Sequence, residues 1–409
     1  MLRSGVRERT QEHGAAAIIP LRSGSTDTDP AGESAMRIAL LLGSGNPSFG
    51  GVERHVIHLA NSLVLDRHAA CIVMGRACPV DVDHGLRPEV DQIRVAAPDG
   101  ASLSAFVAGG GRAVRTWRAD VLHSHLTYGL ALGVLLRTVL GIPLVHTEHF
   151  LVRKSADRGV RGAAGALLRG RADALICVSG TVAAACPVLG GHPRRHMIYN
   201  GTAPAASENA TPSRGRLLYV GRLEPDKRVG LTLEIARRLQ SDGYSLDVVG
   251  TGTLAESLRG EAADLLAAGR VRFHGWQADV APFFRNAAVL LHPAREGLGY
   301  AAIEAMAHGV PVVAPRSSGT AELIAHTGLG VAVDDEHRIG AWAEAVARAS
   351  ALPRATAALP AAFHVRHMCA ATMDVYEALL RSTAHAATGE AHPAATPKAL
   401  HGHGARTRL

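Results

Sequence analysis

The segment "AAVLLHPAREGLGYAAIEAMAHGVPVVAP" (287–315) decides how this chain folds. Its first part, "AAVLLHPA", is a short apolar run that reads as a buried strand. After a glycine-rich corner comes "AAIEAMAHG", whose pattern predicts a helix, and "VPVVAP" then reads as another buried strand. Strand, helix and strand in that order make a parallel crossover unit. Two carboxylates bracket the corner: Glu296 at the strand end and Glu304 about one turn inside the helix.

The same rhythm extends in both directions. "RLLYVG", "SLDVVG", "VRFHG" and "GVAVDD" supply further strands, each followed by a helical segment. From Met36, "MRIALLLG", "AACIVMG", "IRVAAP", "VLHSH", "LVHTEHF" and "ALICVS" alternate with helices expected near 51–63, 102–118 and 128–140. The stretch "GTAPAASENATPSRG" (201–215) interrupts the alternation and reads as a hinge. The expected fold is therefore α/β, with two tandem Rossmann-like doubly wound domains and an interdomain cleft. A disordered extension is expected over 1–35 and a disordered tail over 387–409. Between them lie a first domain over 36–203 and a second over 204–363.

Composition agrees with this reading. At 409 residues, with 47% hydrophobic and 19% charged residues, the chain can fill sizeable cores and is not a disordered polymer. Cys71, Cys78, Cys177, Cys186 and Cys369 are scattered and lack a CxxC pair, which points to neither a disulfide framework nor a zinc site. A reducing, cytoplasmic compartment is expected. The apolar run "AAAIIP" (15–20) is too short for the core of a signal peptide. The apolar stretch from Tyr128 to Val145 carries Arg137 at its middle, at a cost of about 2.5–3.5 kcal/mol in a membrane, so a soluble helix is expected there.

In doubly wound sheets, ligands bind outside the carboxyl ends of the strands. One such end, "YVGRLEPDKR" (219–228), supplies Arg222 and Lys227, and two cations on one loop suit a diphosphate. Solvated charges paired with Glu224 and Asp226 are the alternative. At "VVGTGTLAE" (248–256), Gly250 and Gly252 open a helix whose free N–H groups can meet an anion. In the opening segment, Gly297 and Gly299 let the backbone turn beside a ligand, and the helix from Tyr300 aims its N–H groups at the same place. Carboxylates there would repel phosphate but accept hydrogen bonds from hydroxyls. Hydroxyl-binding acids flanking a phosphate-binding corner describe a nucleotide sugar; a capping Glu296 and a solvated Glu304 are the alternative. In the first domain, "LLGSGNPSFGGVERHV" (41–56) offers Gly50 and Gly51 before another helix. "HSHLTYG" and "HTEHF" place His123, His125, His146 and His149 near two strand ends. No carboxylate and cysteine set completes a metal-ligand spacing, so no metal is expected. One of the four reads as a polar contact or proton handler, and the sequence does not choose among them.

These motifs, in this order, resemble the retaining glycosyltransferases of family 4, whose two-domain fold is called GT-B. The resemblance runs from about Met36 to Ala386. It is carried by E-x7-E at Glu296 and Glu304, "GRLEPDK" (221–227), "VGTG" (249–252), "YNG" (199–201) and "GGVERH" (50–55). It implies ribose hydroxyls on Glu304, hydroxyls of the transferred sugar on Glu296, and the diphosphate on Arg222 and Lys227. Amides from Gly297 through Leu298 to Tyr300 would support sugar and phosphate, Gly275 and Trp276 would line the base pocket, and His149 would sit beside the sugar.

It further implies metal-independent transfer with retention, no separate cofactor, and a UDP-sugar or GDP-mannose as donor. The acceptor would be a sugar or lipid-linked hydroxyl, as in cell-envelope glycan or glycolipid assembly. A last helix, about 364–386, would return to the first domain. Thr320 and Ala321 depart from the family pattern and leave only Glu322 of that motif. Rival readings are a nucleotide-sugar epimerase and an NAD-dependent oxidoreductase; the latter needs an acid where "VRFHG" ends in Gly275 and Trp276.

The net charge of +7 gathers in 152–171, where Arg153, Lys154, Arg158, Arg161, Arg169 and Arg171 face one acid, Asp157. Such a segment fits peripheral contact with an anionic lipid surface or a phosphorylated acceptor, or is a solvated helix face. Nucleic acid is not expected, because no aromatic residues interleave with the charges.

Overall fold

Runs such as "RIALLL" and "VLHSH" are buried almost throughout, which is the pattern of parallel strands covered by helices on both faces. In the computed structural model, residues 35–43, 49–95, 103–151, 160–205, 215–353 and 359–388 are described. The first sheet comprises β1 (Arg37–Leu42), β2 (Ala69–Gly75), β3 (Asp91–Val95), β4 (Val121–His125), β5 (Leu144–Glu148), β6 (Ala174–Cys177) and β7 (Arg194–Met197). Its order is β3-β2-β1-β4-β5-β6-β7, and all pairs are parallel.

The second sheet comprises β8 (Arg216–Val220), β9 (Ser245–Val249), β10 (Val271–Gly275), β11 (Val289–Leu291), β12 (Val312–Pro315) and β13 (Gly330–Val333). It runs β10-β9-β8-β11-β12-β13, again parallel. Two Rossmann-like sheets therefore stand in tandem, as the strand rhythm predicts. The strand the rhythm missed is β7: "RRHM" is polar, largely exposed and paired only to β6, so it carries no apolar signal.

In both sheets the strand order reverses beside the first strand, at β1/β4 and at β8/β11. A crevice opens where neighbouring connections leave in opposite directions. The corners after β1 and β8 and the ends of β4 and β11 are therefore the ones that can line a site.

The final helix, Val365–Thr388, packs mainly on the helix Gly51–Leu65 of the first domain and touches the second at Met368, whose sulfur accepts from Tyr300 Oη at 3.8 Å. Its Met368, Cys369, Val375, Tyr376 and Leu379 join Ile38, Leu40, Val56 and Leu59 in one core. The chain thus crosses between domains twice, and the crossings pair: Thr202 N donates to Phe363 O (3.0 Å) and Val365 N to Thr202 O (3.0 Å). The hinge expected over 201–215 is described at its two ends; 206–214 lie outside the described residues, as do 1–34 and the tail from 389. Glu322 provides a further tie, accepting from Gly180 N (2.9 Å), Thr181 and Tyr199 Oη (3.3 Å) of the first domain. It is an interdomain clamp outside the cleft lining. Among the described residues no helix is long and apolar enough to cross a membrane; Arg137, in the helix Leu126–Leu140, pairs with Asp173 at 2.6 Å.

Candidate active site

Loops from both domains reach the space between them and line a cleft of about 690 Å³. From the second domain, the corner after β8 brings Arg222 and Lys227, and the corner after β11 brings Glu296, Gly297, Leu298, Tyr300 and Glu304. Gly250 enters after β9 and Trp276 after β10. From the first domain come Gly50, Gly51, Arg54, His149 and Asn200. Gly252 and Gly299, expected at the ligand, stand behind this lining. A Cβ at Gly252 would collide with the Leu223 backbone and one at Gly299 with the His292 ring, so their smallness serves packing of the corners.

Gly297 has a sharper requirement, because a Cβ there would collide with the carbonyl of His149 in the opposite domain. The glycine lets the two walls touch. Gly250 takes φ 135°, a conformation that L side chains rarely adopt, and lies against the Gly221 carbonyl. Gly50 faces Arg222 across the cleft, and Gly51 faces the Tyr300 ring.

The charged groups neutralise one another. Lys227 Nζ lies 2.5 Å from Glu296 Oε1 and 3.7 Å from Asp226, while Arg222 lies 3.9 Å from Asp226. Burial opposes ionisation of Glu296, but Lys227 and His292 beside it prevail and hold its pKa at about 2. Glu296 is thus an ion-paired carboxylate and not a helix cap; the cap of Tyr300–Ala307 is Gly299. Glu304 is not a free surface residue either. It forms an ion pair with Arg54, which reaches over from the helix Gly51–Leu65 of the first domain. Burial lowers the pKa of that guanidinium.

The histidines separate once folded. His149 lines the cleft, and its Nε2 lies 3.0 Å from His125 Nδ1. His123 turns away to Tyr376 Oη (2.5 Å) and Thr147 Oγ1 (2.7 Å), and His146 bonds Ser124. A fifth, His55, which sequence reasoning did not single out, stands edge-on to His149 with ring centres 4.8 Å apart. Burial lowers all five pKa values, to about 4 for His55 and His146 and well below the ordinary imidazole value for His123, His125 and His149. This wall is neutral imidazole.

His55, His125 and His149 bring ligand atoms within 4.8 Å of one another, the histidine group among the described residues that comes nearest to a metal centre. The group stops at three, His125 and His149 bond each other, and His55 bonds Asn200. At the cleft mouth, Trp276 is half exposed; His84 stands 6.3 Å from it and is stacked on Phe49 at 4.8 Å. Nothing in the local sequence marks Phe49 or His84, since a lone aromatic carries no periodic signal.

In the basic segment, Arg169 is committed to Glu148 (2.7 Å). Arg153, Lys154, Asp157 and Arg158 lie outside the described residues. β10 ends in Gly275 and presents no acid of the kind a dinucleotide-binding oxidoreductase needs.

Solved structures share this arrangement. Sucrose-phosphate synthase from Thermosynechococcus elongatus is 22% identical with a TM-score of 0.70, and the match covers 85% of this chain and 100% of that one. HepE from Anabaena, in complex with UDP and glucose, is 20% identical with a TM-score of 0.64, covering 87% and 100%. The fold is the two-domain Rossmann-like GT-B fold.

Sequence families agree. The model described as Glycosyltransferase Family 4 matches residues 49–205 and that of Glycosyl transferases group 1 matches 214–351, together more than half of the chain. The chain belongs to these family 4, group 1 glycosyltransferases, and it is an enzyme of that class. Among its relatives, glycogen synthase of Mycobacterium tuberculosis is 28% identical over 383 residues, covering 81% of this chain and 92% of that protein. D-inositol 3-phosphate glycosyltransferase of Gordonia bronchialis is 31% identical over 292 residues, covering 62% and 64%.

Proposed function

We propose that this enzyme transfers a sugar from a nucleoside-diphosphate sugar, a UDP-sugar or GDP-mannose, to a hydroxyl of a saccharide or lipid-linked acceptor, with retention and without a metal. The observation that carries this reading is that paired cations and paired acids from separate corners line one interdomain cleft. HepE, a structure of the same fold, holds UDP and UDP-glucose.

On this reading the diphosphate takes Lys227 and Arg222, which frees Glu296 for hydroxyls of the sugar. The ribose takes Glu304 from Arg54, and Trp276 borders the base. The bond from the anomeric carbon to the phosphate oxygen breaks, and its electron pair stays on the diphosphate, where the two cations stabilise it. The acceptor oxygen bonds to the anomeric carbon on the same face, and its proton passes to the departing phosphate oxygen. Two cations at the diphosphate do the work of a bridging metal ion. His149 stays neutral beside the sugar, and apposition of the walls at Gly297 excludes water. The segment 152–171 is the part proposed to touch an anionic membrane, tested by co-sedimentation with anionic and neutral vesicles.

A thermal-shift screen against UDP-, GDP- and ADP-sugars tests the donor assignment. Binding at 100 times Kd adds about 2.7 kcal/mol of stability. Glu304→Ala is expected to lose that shift, and a variant stabilised as strongly as the parent removes the ribose assignment. NMR of the product distinguishes retention from inversion.

A further inference from the structure

We propose that Asn200 is a positioning residue that fixes the donor corner and links it, through His55, to the first domain's leading helix. This rests on the donor reading above. Asn200 lies three residues past the end of β7 and two before Thr202 of the paired crossing, and is 4% exposed. Its Nδ2 donates to the carbonyl of Leu298 at 3.0 Å, and its Oδ1 lies 3.1 Å from His55 Nδ1. The orientation of the amide follows from these partners. A carbonyl only accepts, so Nδ2 faces Leu298, and Oδ1 then accepts the His55 Nδ1–H.

Leu298 is the middle residue of Gly-Leu-Gly, between Glu296 and the helix that carries Glu304; its side chain is buried in a core shared by both domains, and the two glycines flanking it have none. Fixing the Leu298 carbonyl fixes the direction of the Gly299 N–H, which shares its peptide plane. His55 is the neighbour of Arg54, so one turn of one first-domain helix reaches both halves of the donor site. Arg54 holds Glu304 directly, and His55 holds the glycine corner through Asn200. The contact also lies beside the hinge, where a small change of domain angle alters it. Corner geometry and domain closure are thereby coupled. The His55 ring stands edge-on to His149, so the side chain beside the sugar leans on the same relay.

The test is steady-state kinetics of the full chain with whichever nucleotide sugar stabilises the parent most, for the parent, Asn200→Ala, His55→Phe and the double variant. Asn200→Ala is expected to lose about 10- to 100-fold in kcat, as for misplacement of a reacting group by an ångström, with donor KM within about threefold of the parent. Donor hydrolysis is expected to rise relative to transfer, because closure no longer sets the corner. His55→Phe is expected to lose less, and the double variant to be no worse than Asn200→Ala, since both substitutions break one relay.

A parent-like kcat and hydrolysis ratio in Asn200→Ala overturns the proposal, as do fully additive losses. If Asn200→Ala does not fold, an unchanged hydrolysis ratio in His55→Phe overturns it. A parent that no nucleotide sugar stabilises overturns the donor reading and this inference with it. A stabilised parent with an indifferent Asn200 variant overturns the inference alone.

Discussion

The two walls of the cleft come from sheets with the same switch-point topology, yet they hold opposite kinds of polarity. The second-domain wall carries full charges, Lys227 against Glu296 and Arg222 near Asp226, and offers Glu304 to Arg54. The first-domain wall behind Arg54 is a layer of buried imidazoles held neutral by desolvation. A diphosphate needs localised positive charge, and acids that trade partners keep those cations from standing unpaired before it arrives. A sugar needs hydrogen-bonding groups that do not compete for the phosphate, and neutral imidazole supplies them. On the proposed reading, one topology serves two halves of a donor by changing what stands at the strand ends.

Removing a charge from the second wall should have the largest effect. Lys227→Ala is expected to lower kcat/KM by about 10²–10³, the cost of deleting one preorganised electrostatic contact to a developing anion. The same variant removes the main partner of Glu296, so the acid limb of the pH profile should move upward; an unmoved limb would detach Glu296 from the Lys227 pair. Next comes the pH dependence of the other wall. His55 and His146 have pKa values near 4 in the fold against 6.5 ordinarily, so below pH 6.5 the unfolded chain binds more protons.

Stability from these histidines is complete above about 6.5 and lost as pH falls toward 4, at about 1.4 kcal/mol per pH unit for each. Glu296 loses its contribution only between its ordinary 4.5 and about 2. Thermal unfolding as a function of pH should therefore show the imidazole wall titrating before the charged one, and a flat Tm between pH 6.5 and 4 would contradict it. Smaller still, Trp276→Ala should weaken donor binding by about 0.5–1.5 kcal/mol, the worth of one aromatic contact, read as a few-fold rise in donor KM. EDTA should leave transfer unchanged, and loss of activity restored by a divalent cation would remove the metal-independent part of the proposal.

Much of the charged wall was legible because its residues lie within single strand-to-helix corners. Glu296, Gly297 and Glu304 are read from one stretch, and Arg222 and Lys227 from another. The strands of both sheets were legible for a related reason, since covering both faces leaves continuous apolar runs; β7, polar at a sheet edge, left none. The neutral wall was not legible as a wall. His55, His125 and His149 come from three elements and converge only when β1, β4 and β5 lie side by side. The strand-end pattern alone therefore marked histidines without choosing among them; the family resemblance pointed to His149, while His123 folds toward Tyr376 of the returning helix. The Arg54–Glu304 pair and the Asn200 relay were illegible for the same reason, because each joins residues of different domains.

Crystallography of the chain with an intact, slowly turned-over nucleoside-diphosphate sugar tests the central claim most directly. The diphosphate is expected against Arg222 and Lys227, with ribose hydroxyls on Glu304 and sugar hydroxyls on Glu296. A donor bound elsewhere, with Lys227 still paired to Glu296 and Arg54 to Glu304, would contradict it.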